Sequence, residues 1–286
     1  MNKVNPISRI IRPLVGFFSL VVLTVSFQLS SALALDLGGD TLDIKAGHTF
    51  ATQYMFRGVD TFGDEPAFQP YGSATVNLDR FHISGGYWGS YPEDSEFDIL
   101  AENDFWGAVG VDLNDYLNFT TTYTYYNFYN APRTGDVNEF SFVVTMSEIP
   151  VPGFKLGPIE DKIPISISYA GSYAFGRASF DEGGINDGWY HAITAGFAIP
   201  IPGTKSIPFQ EENGLALNYS STWGFYGGSQ YIFEDGYAHW THGLTIPIAL
   251  PGNITVTPGF YYQISFNDSV NPENEFYFMI DTSIAF

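Results

Sequence analysis

One feature constrains this chain more than any other: apolar residues alternate with polar ones, two by two, in stretch after stretch. Residues 278–286 read FMIDTSIAF, with Phe278, Ile280, Ile284 and Phe286 on even positions and Met279, Asp281 and Ser283 between them. That is the period of a strand with one apolar face. Twelve such stretches follow the first forty residues, at about 42–57, 67–78, 81–91, 98–112, 116–128, 137–148, 162–175, 189–200, 214–226, 237–249, 254–266 and 275–286. At 11–16 residues most are longer than the usual globular strand of about 5–6. They are long enough to cross a bilayer at a tilt, which takes about 9–11. No capping residue followed by an apolar run of helical period occurs among them, so no helix is predicted.

The connectors alternate in kind. Asp79-Arg80, Asn114-Asp115 and Pro251-Gly252-Asn253 are tight turns, and two longer proline-rich connectors span 150–162 and 200–213. The opposite set is acidic and glycine-rich, such as GVDTFGDEP and GGSQYIFEDG. Short turns at one rim and long loops at the other are the plan of an up-and-down membrane barrel. The expectation is an all-β transmembrane antiparallel barrel of about twelve strands, both termini periplasmic, in the bacterial outer membrane. Its last strand closes on its first, because lipid cannot satisfy an open edge.

Composition supports this reading. Lys3, Arg9 and Arg12 precede an apolar stretch from Leu14 to Val25, and Ala32-Leu33-Ala34 suits signal peptidase. Residues 1–34 are thus expected to be a secretory signal peptide and 35–286 the barrel, with no second domain. Without the leader, 8 basic residues face 31 acidic ones, a formal charge of −23. So acidic a surface repels nucleic acid and excludes it as a partner. With no cysteine, no disulfide braces the fold. The 26 Phe, 19 Tyr and 30 Gly suit many strands with aromatic residues at a membrane interface.

A segment near the start, YMFRGVDTFGDEPAFQPYGSATVNLDRFHISGGYWGSYPED, resembles the TorF-type porins, a family of exported barrels. The resemblance rests on Tyr54, Phe56, Arg57 and Gly58, then Pro66 and Ala67, then Gly86, Trp88 and Ser90. It covers about 50 residues. It implies a barrel and a diffusion channel, and no catalytic residue.

Strand parity then assigns the interior. With even positions of the first strand facing lipid, Asp43, Lys45, Thr49, Gln53 and Arg57 face inward. The same reasoning points Asp98, Glu102, Asp104, Asp112, Glu139, Ser141 and Asp281 inward. Arg57, Asp98, Glu102, Asp104, Glu139 and Asp281 are the candidate lumen residues for selectivity, since carboxylates concentrate cations and disfavour anions. The alternative is salt bridges inside a packed, non-conducting barrel. For Arg57 the favoured reading is a structural ion pair near the mouth; holding a loop inward or setting a transverse field is the other. Phe286 resembles the terminal aromatic signal read by barrel assembly machinery. Small inward residues (Ser168, Ala170, Ser172, Ser220, Thr222, Gly259) favour an open lumen, and Trp106, Tyr126, Tyr226 and Tyr261 favour a filled one.

Enzymatic and metal readings are weaker. His82 and Ser84 share an inward face, where a lipid substrate does not arrive, and His239 and His242 point to opposite faces. The loop acids, among them Asp60, Asp64, Glu65, Glu93, Asp94, Glu96, Asp181, Glu182, Asp187, Glu234 and Asp235, could bind Ca²⁺ or Mg²⁺ as hard-oxygen ligands, but they lack the spaced D-x-[DN]-x-[DN]-G pattern, and solvated charge is the better reading. No metal, cofactor or catalytic residue is expected. The expected partners are membrane lipid, the assembly machinery and small polar solutes or cations. His48 falls on the lipid face and fits that position poorly, unless the register slips there.

Overall fold

The computed structural model describes residues 41–93, 101–128, 136–156, 159–176, 187–208, 210, 214–228 and 233–286. The expected signal peptide, Asp98 and the loop acids Asp94, Glu96, Asp181 and Glu182 lie outside them. In chain order the strands are β1 (Thr41–Ala51), β2 (Met55–Phe56), β3 (Val59–Asp60), β4 (Ala67–Leu78), β5 (Phe81–Pro92), β6 (Glu102–Asn114), β7 (Leu117–Asn127), β8 (Val137–Met146), β9 (Ile149–Leu156), β10 (Ile159–Ile163), β11 (Ile165–Gly176), β12 (Gly188–Pro200), β13 (Ala216–Gly227), β14 (Gly236–Thr245), β15 (Ile248–Leu250), β16 (Ile254–Ser265) and β17 (Glu275–Ala285).

Twelve of these close into one antiparallel barrel. Each pairs with its sequence neighbour around the ring, β8 with β11 and β14 with β16, and β1 pairs with β17. The seam is in register from Lys45↔Ala285 to Ala51↔Met279. Phe286 extends it, its N–H donating to the Ile44 carbonyl at 2.9 Å. The remaining strands are local. The proline-rich connector folds into a separate β9–β10 hairpin that adds no barrel strand, and β15 pairs only with β16. A break at Ile246-Pro247 separates β14 from β15, where the expected strand ran on to 249. Pro247 has no N–H to give the ladder.

The hydrophobic sense of the barrel is inverted. Among the most exposed side chains are Ile83, Phe105, Val109, Phe140 and Phe260, all on the outer wall. Thr49, Gln69, Ser90, Glu102, Asp104, Glu139 and Gln263 are buried inside. This is what lipid outside and a polar interior require. Aromatic pairs cluster on the outer wall: Tyr87 packs on Phe105, Tyr123 on Phe140, and Trp223 stacks on Trp240 at 5.3 Å. The hydroxyls of Tyr87 and Tyr91 both donate to Asn103, as interfacial rings with a wet edge do. His48 keeps the outward register opposite Thr282 and Pro70 and packs its ring on Phe68 at 5.4 Å, so nothing slips.

The first strand departs from expectation. It stops at Ala51 instead of continuing to 57. Gln53 and Arg57 are therefore not strand positions, although both still end up inside. The chain bends at Thr52-Gln53 and then forms the β2–β3 hairpin, whose two-residue turn is Arg57 at φ 52° and Gly58 at φ 97°, the left-handed pair of a tight hairpin. Strand six begins at Glu102 and runs on to Asn114, two residues past the expected end.

The outer wall should tolerate charge far less than the inner. Val109→Arg, at mid-depth on the lipid face of β6, is expected to cost about 2–4 kcal/mol. Ala108→Arg, pointing inward beside Ser84 and Thr122, should stay within about 1 kcal/mol. Guanidinium titrations of the barrel in lipid vesicles would measure both.

Candidate functional site

Between β1 and β4 the chain does not leave the barrel; it folds into the mouth. The β2–β3 hairpin is held on one side by an aromatic cluster in which Tyr54, Phe62 and Ala67 are buried against Trp88 of β5. The Tyr54 hydroxyl donates to Glu102 of β6. Phe56 meets the edge of Tyr126 on β7 at 6.1 Å.

The tip carries the charge. Arg57 makes two parallel hydrogen bonds to Glu139 of β8, at 2.6 and 2.7 Å. Its guanidinium lies 4.8 Å from the ring centres of both Phe56 and Tyr190. Bidentate geometry and stacking on flat rings are what arginine offers and lysine does not. The pair is buried, with side-chain exposures of 13% for Arg57 and 4% for Glu139, so little water screens it.

The backbone of the turn is satisfied by the far wall. Tyr226 of β13 donates to the Arg57 carbonyl at 3.2 Å, and Gln263 of β16 donates to the Gly58 carbonyl at 2.8 Å. Gln263 is itself positioned: Thr241 donates to its Oε1, and Thr241 meets His239, which meets the Tyr190 hydroxyl at 2.9 Å. A Cβ on Gly58 would approach the His239 ring to 2.8 Å, so the turn needs glycine for space as well as for its φ. Val59 and Phe233 pack on the buried cluster of Tyr190, Ala192, Tyr226, Ala238 and Val270. The hairpin thus reaches from the seam strands across the lumen to β12–β16.

Most candidate lumen residues converge at this level. Glu102, Asp104 and Glu139 are all buried inside it. Arg57 pairs with Glu139, and one Asp104 oxygen is buried with no hydrogen-bond partner among the described residues. Asp281 lies apart from that group, accepting from the Tyr71 hydroxyl at 2.7 Å, and Lys45 sits 5.5 Å over the Tyr71 ring. Asp112 is at the short-turn rim with His82 and Asn118. His82 bonds Asn77 and Asp112, an arrangement without a serine nucleophile. His239 points inward to Tyr190, and His242 outward to Tyr219. Tyr126 and Tyr226, two of the four bulky inward residues, both close on the hairpin.

Sequence reasoning missed Tyr54, Phe62, Tyr190 and Gln263 as parts of the site. The signal for the first was present in the Tyr-x-Phe-Arg-Gly motif, which reads as the end of a strand because its alternation is unbroken.

A closed, even-stranded barrel with an apolar outer wall and a polar interior is an integral protein of the bacterial outer membrane. No family model matches the chain, and no curated protein does either. Among solved structures it is similar to an outer membrane channel from Pseudomonas putida F1, at 11% identity and a TM-score of 0.45, over 88% of this chain and 97% of that one. It is similar to the NanC porin at 9% identity and 0.46, over 85% and 98%. The beta domain of the Bordetella autotransporter BrkA aligns at 10% and 0.40, over 86% and 98%.

Removing the guanidinium leaves Glu139 buried and unpaired, a loss of roughly 3–5 kcal/mol for such a pair. Arg57→Ala should therefore unseat the hairpin, raising amide exchange across 54–61 by more than about a hundredfold. The barrel strands should keep their protection. Hydrogen-exchange mass spectrometry would resolve the two.

Proposed function

We propose that the protein is a passive outer-membrane channel for small polar solutes, with a modest preference for cations, whose entrance is narrowed by the inserted hairpin. The observation that carries this reading is the charge at the narrow level: one guanidinium faces three buried carboxylates, Glu102, Asp104 and Glu139. Net negative charge in a confined, poorly screened passage concentrates cations and opposes anions. Deeper in the barrel the inward positions are small, as where Ala170 faces Ala192 and Thr194 faces Thr222. The resemblance of the hairpin segment to the TorF-type porins agrees with a channel. Phe286, placed at the seam, suits a signal for assembly machinery.

A second reading rests on the same hairpin. Its contacts with strands on opposite walls would make a plug, and the barrel a non-conducting surface protein whose acidic loops meet cations or a partner.

Conductance of the refolded barrel in a planar bilayer under a KCl gradient separates the two. Discrete steps with a cation-sided reversal potential are expected, and Glu102→Gln with Asp104→Asn should move that potential toward zero. Silence from a barrel shown to be folded by heat-modifiable gel mobility would overturn the channel and leave the plugged barrel.

A further inference from the structure

The root of the inserted segment holds three carboxylates in one place. Asp60 and Asp64 come from the first loop and Glu275 from the start of β17, and one oxygen of each lies within 4.8 Å of the others. Two oxygens bound to one Ca²⁺ at about 2.3–2.6 Å can be at most about 5 Å apart, so this spread suits a single ion. The only ion pairs among the described residues are Arg57–Glu139 and His82–Asp112, so none of the three acids faces a cationic side chain.

Acidic residues gather on many surfaces without binding anything. Here a buried side chain points to a ligand. Gln53 is 8% exposed, and its amide nitrogen donates to both Asp64 and Glu275, which places the amide within the cluster. Among the described residues its Oε1 is buried with no hydrogen-bond partner, and so is Oδ1 of Asp60. Two buried acceptors left unsatisfied beside three like charges are costly unless something positive sits among them. The surrounding geometry is already fixed. The Asp64 N–H donates to Asp60 Oδ2 at 2.6 Å, and Asn271 donates to Glu275 Oε1 at 3.1 Å.

We propose that Asp60, Asp64 and Glu275 bind a divalent cation of the calcium class, the Gln53 amide turning over on binding so that its carbonyl oxygen takes the place of the nitrogen now held by Asp64 and Glu275. Three carboxylates and a neutral amide oxygen, completed by water, form a hard-oxygen set of the kind Ca²⁺ takes. The ligands lie on both legs of the inserted segment and on the last strand, so the ion staples the hairpin to the seam. The site stands whether or not the lumen conducts.

Isothermal titration of CaCl₂ into the EDTA-stripped, refolded barrel in zwitterionic detergent tests this. A saturable one-to-one isotherm is expected, with a dissociation constant of about a millimolar or tighter. Asp60→Asn and Glu275→Gln should each weaken it by at least about tenfold, while Asp79→Asn, in a turn at the opposite rim, should leave it unchanged. Amide exchange on the unaltered protein needs no variant: Ca²⁺ should slow it across residues 53–64 and at the start of β17. Absence of a saturable isotherm, equal affinity in the folded Asp60 and Glu275 variants, or protection confined to other loops would each overturn the proposal.

Discussion

Everything in this structure depends on the closing of β1 against β17. In hydrocarbon an unpaired backbone amide or carbonyl has no water to turn to and costs several kcal/mol. A sheet of twelve strands with free edges would leave two whole rows of such groups. The register from Lys45↔Ala285 to Ala51↔Met279 removes both rows at once. With the edges gone, the two sides of the sheet face different solvents, and the side-chain sense inverts. Phe50 lies outward while its neighbours Thr49 and Ala51 are buried within. Closure also decides which loops are neighbours. The first and last long loops flank the same seam, which is why Gln53 meets Glu275 across 222 positions of sequence.

The strands were legible in the sequence because their two environments differ so sharply. A lipid face tolerates almost nothing but apolar side chains, and a lumen face tolerates polar ones, so alternation persists over ten or more residues. The stretches expected at 67–78, 81–91 and 254–266 match β4, β5 and β16 to within a residue. The end of β1 was not legible for the same reason. From Thr52 to Arg57 the chain still alternates, with Tyr54 and Phe56 on one parity and Gln53 and Arg57 on the other, so the period gives no warning. The chain bends at Thr52-Gln53 and reverses at Arg57 and Gly58, and arginine is not a residue that announces a left-handed turn. Parity correctly sent Arg57, Glu102, Asp104 and Glu139 inward. It could not say that Arg57 reaches Glu139, because that contact crosses the lumen and depends on where the hairpin lands. The Asp60–Asp64–Glu275 cluster was hidden for a related reason: each loop alone lacks a ligand pattern, and only the seam joins them.

The hairpin is seated mainly by directional contacts. A purely apolar insertion would gain similar burial in several neighbouring positions, since area is indifferent to small shifts. The contacts here fix one. The bidentate pair orients the guanidinium, the rings of Phe56 and Tyr190 lie against it, and the carbonyls of Arg57 and Gly58 each find a donor on a different strand. Burying an ion pair is not in itself stabilising. Its worth lies in the high cost of every arrangement that leaves Glu139 alone.

That choice links the shape of the mouth to its charge. In the proposed channel, a seated Arg57 neutralises Glu139 and leaves Glu102, held by Tyr54, and Asp104 to determine the sign of the field. Released, it would widen the passage and return a third carboxylate to the lumen in the same motion. In a conducting barrel the seated state is therefore both the narrower and the less cation-selective one. A cation bound at the seam favours it by tethering both legs of the hairpin. Size and charge then cannot be tuned separately at this mouth, because one side chain sets both.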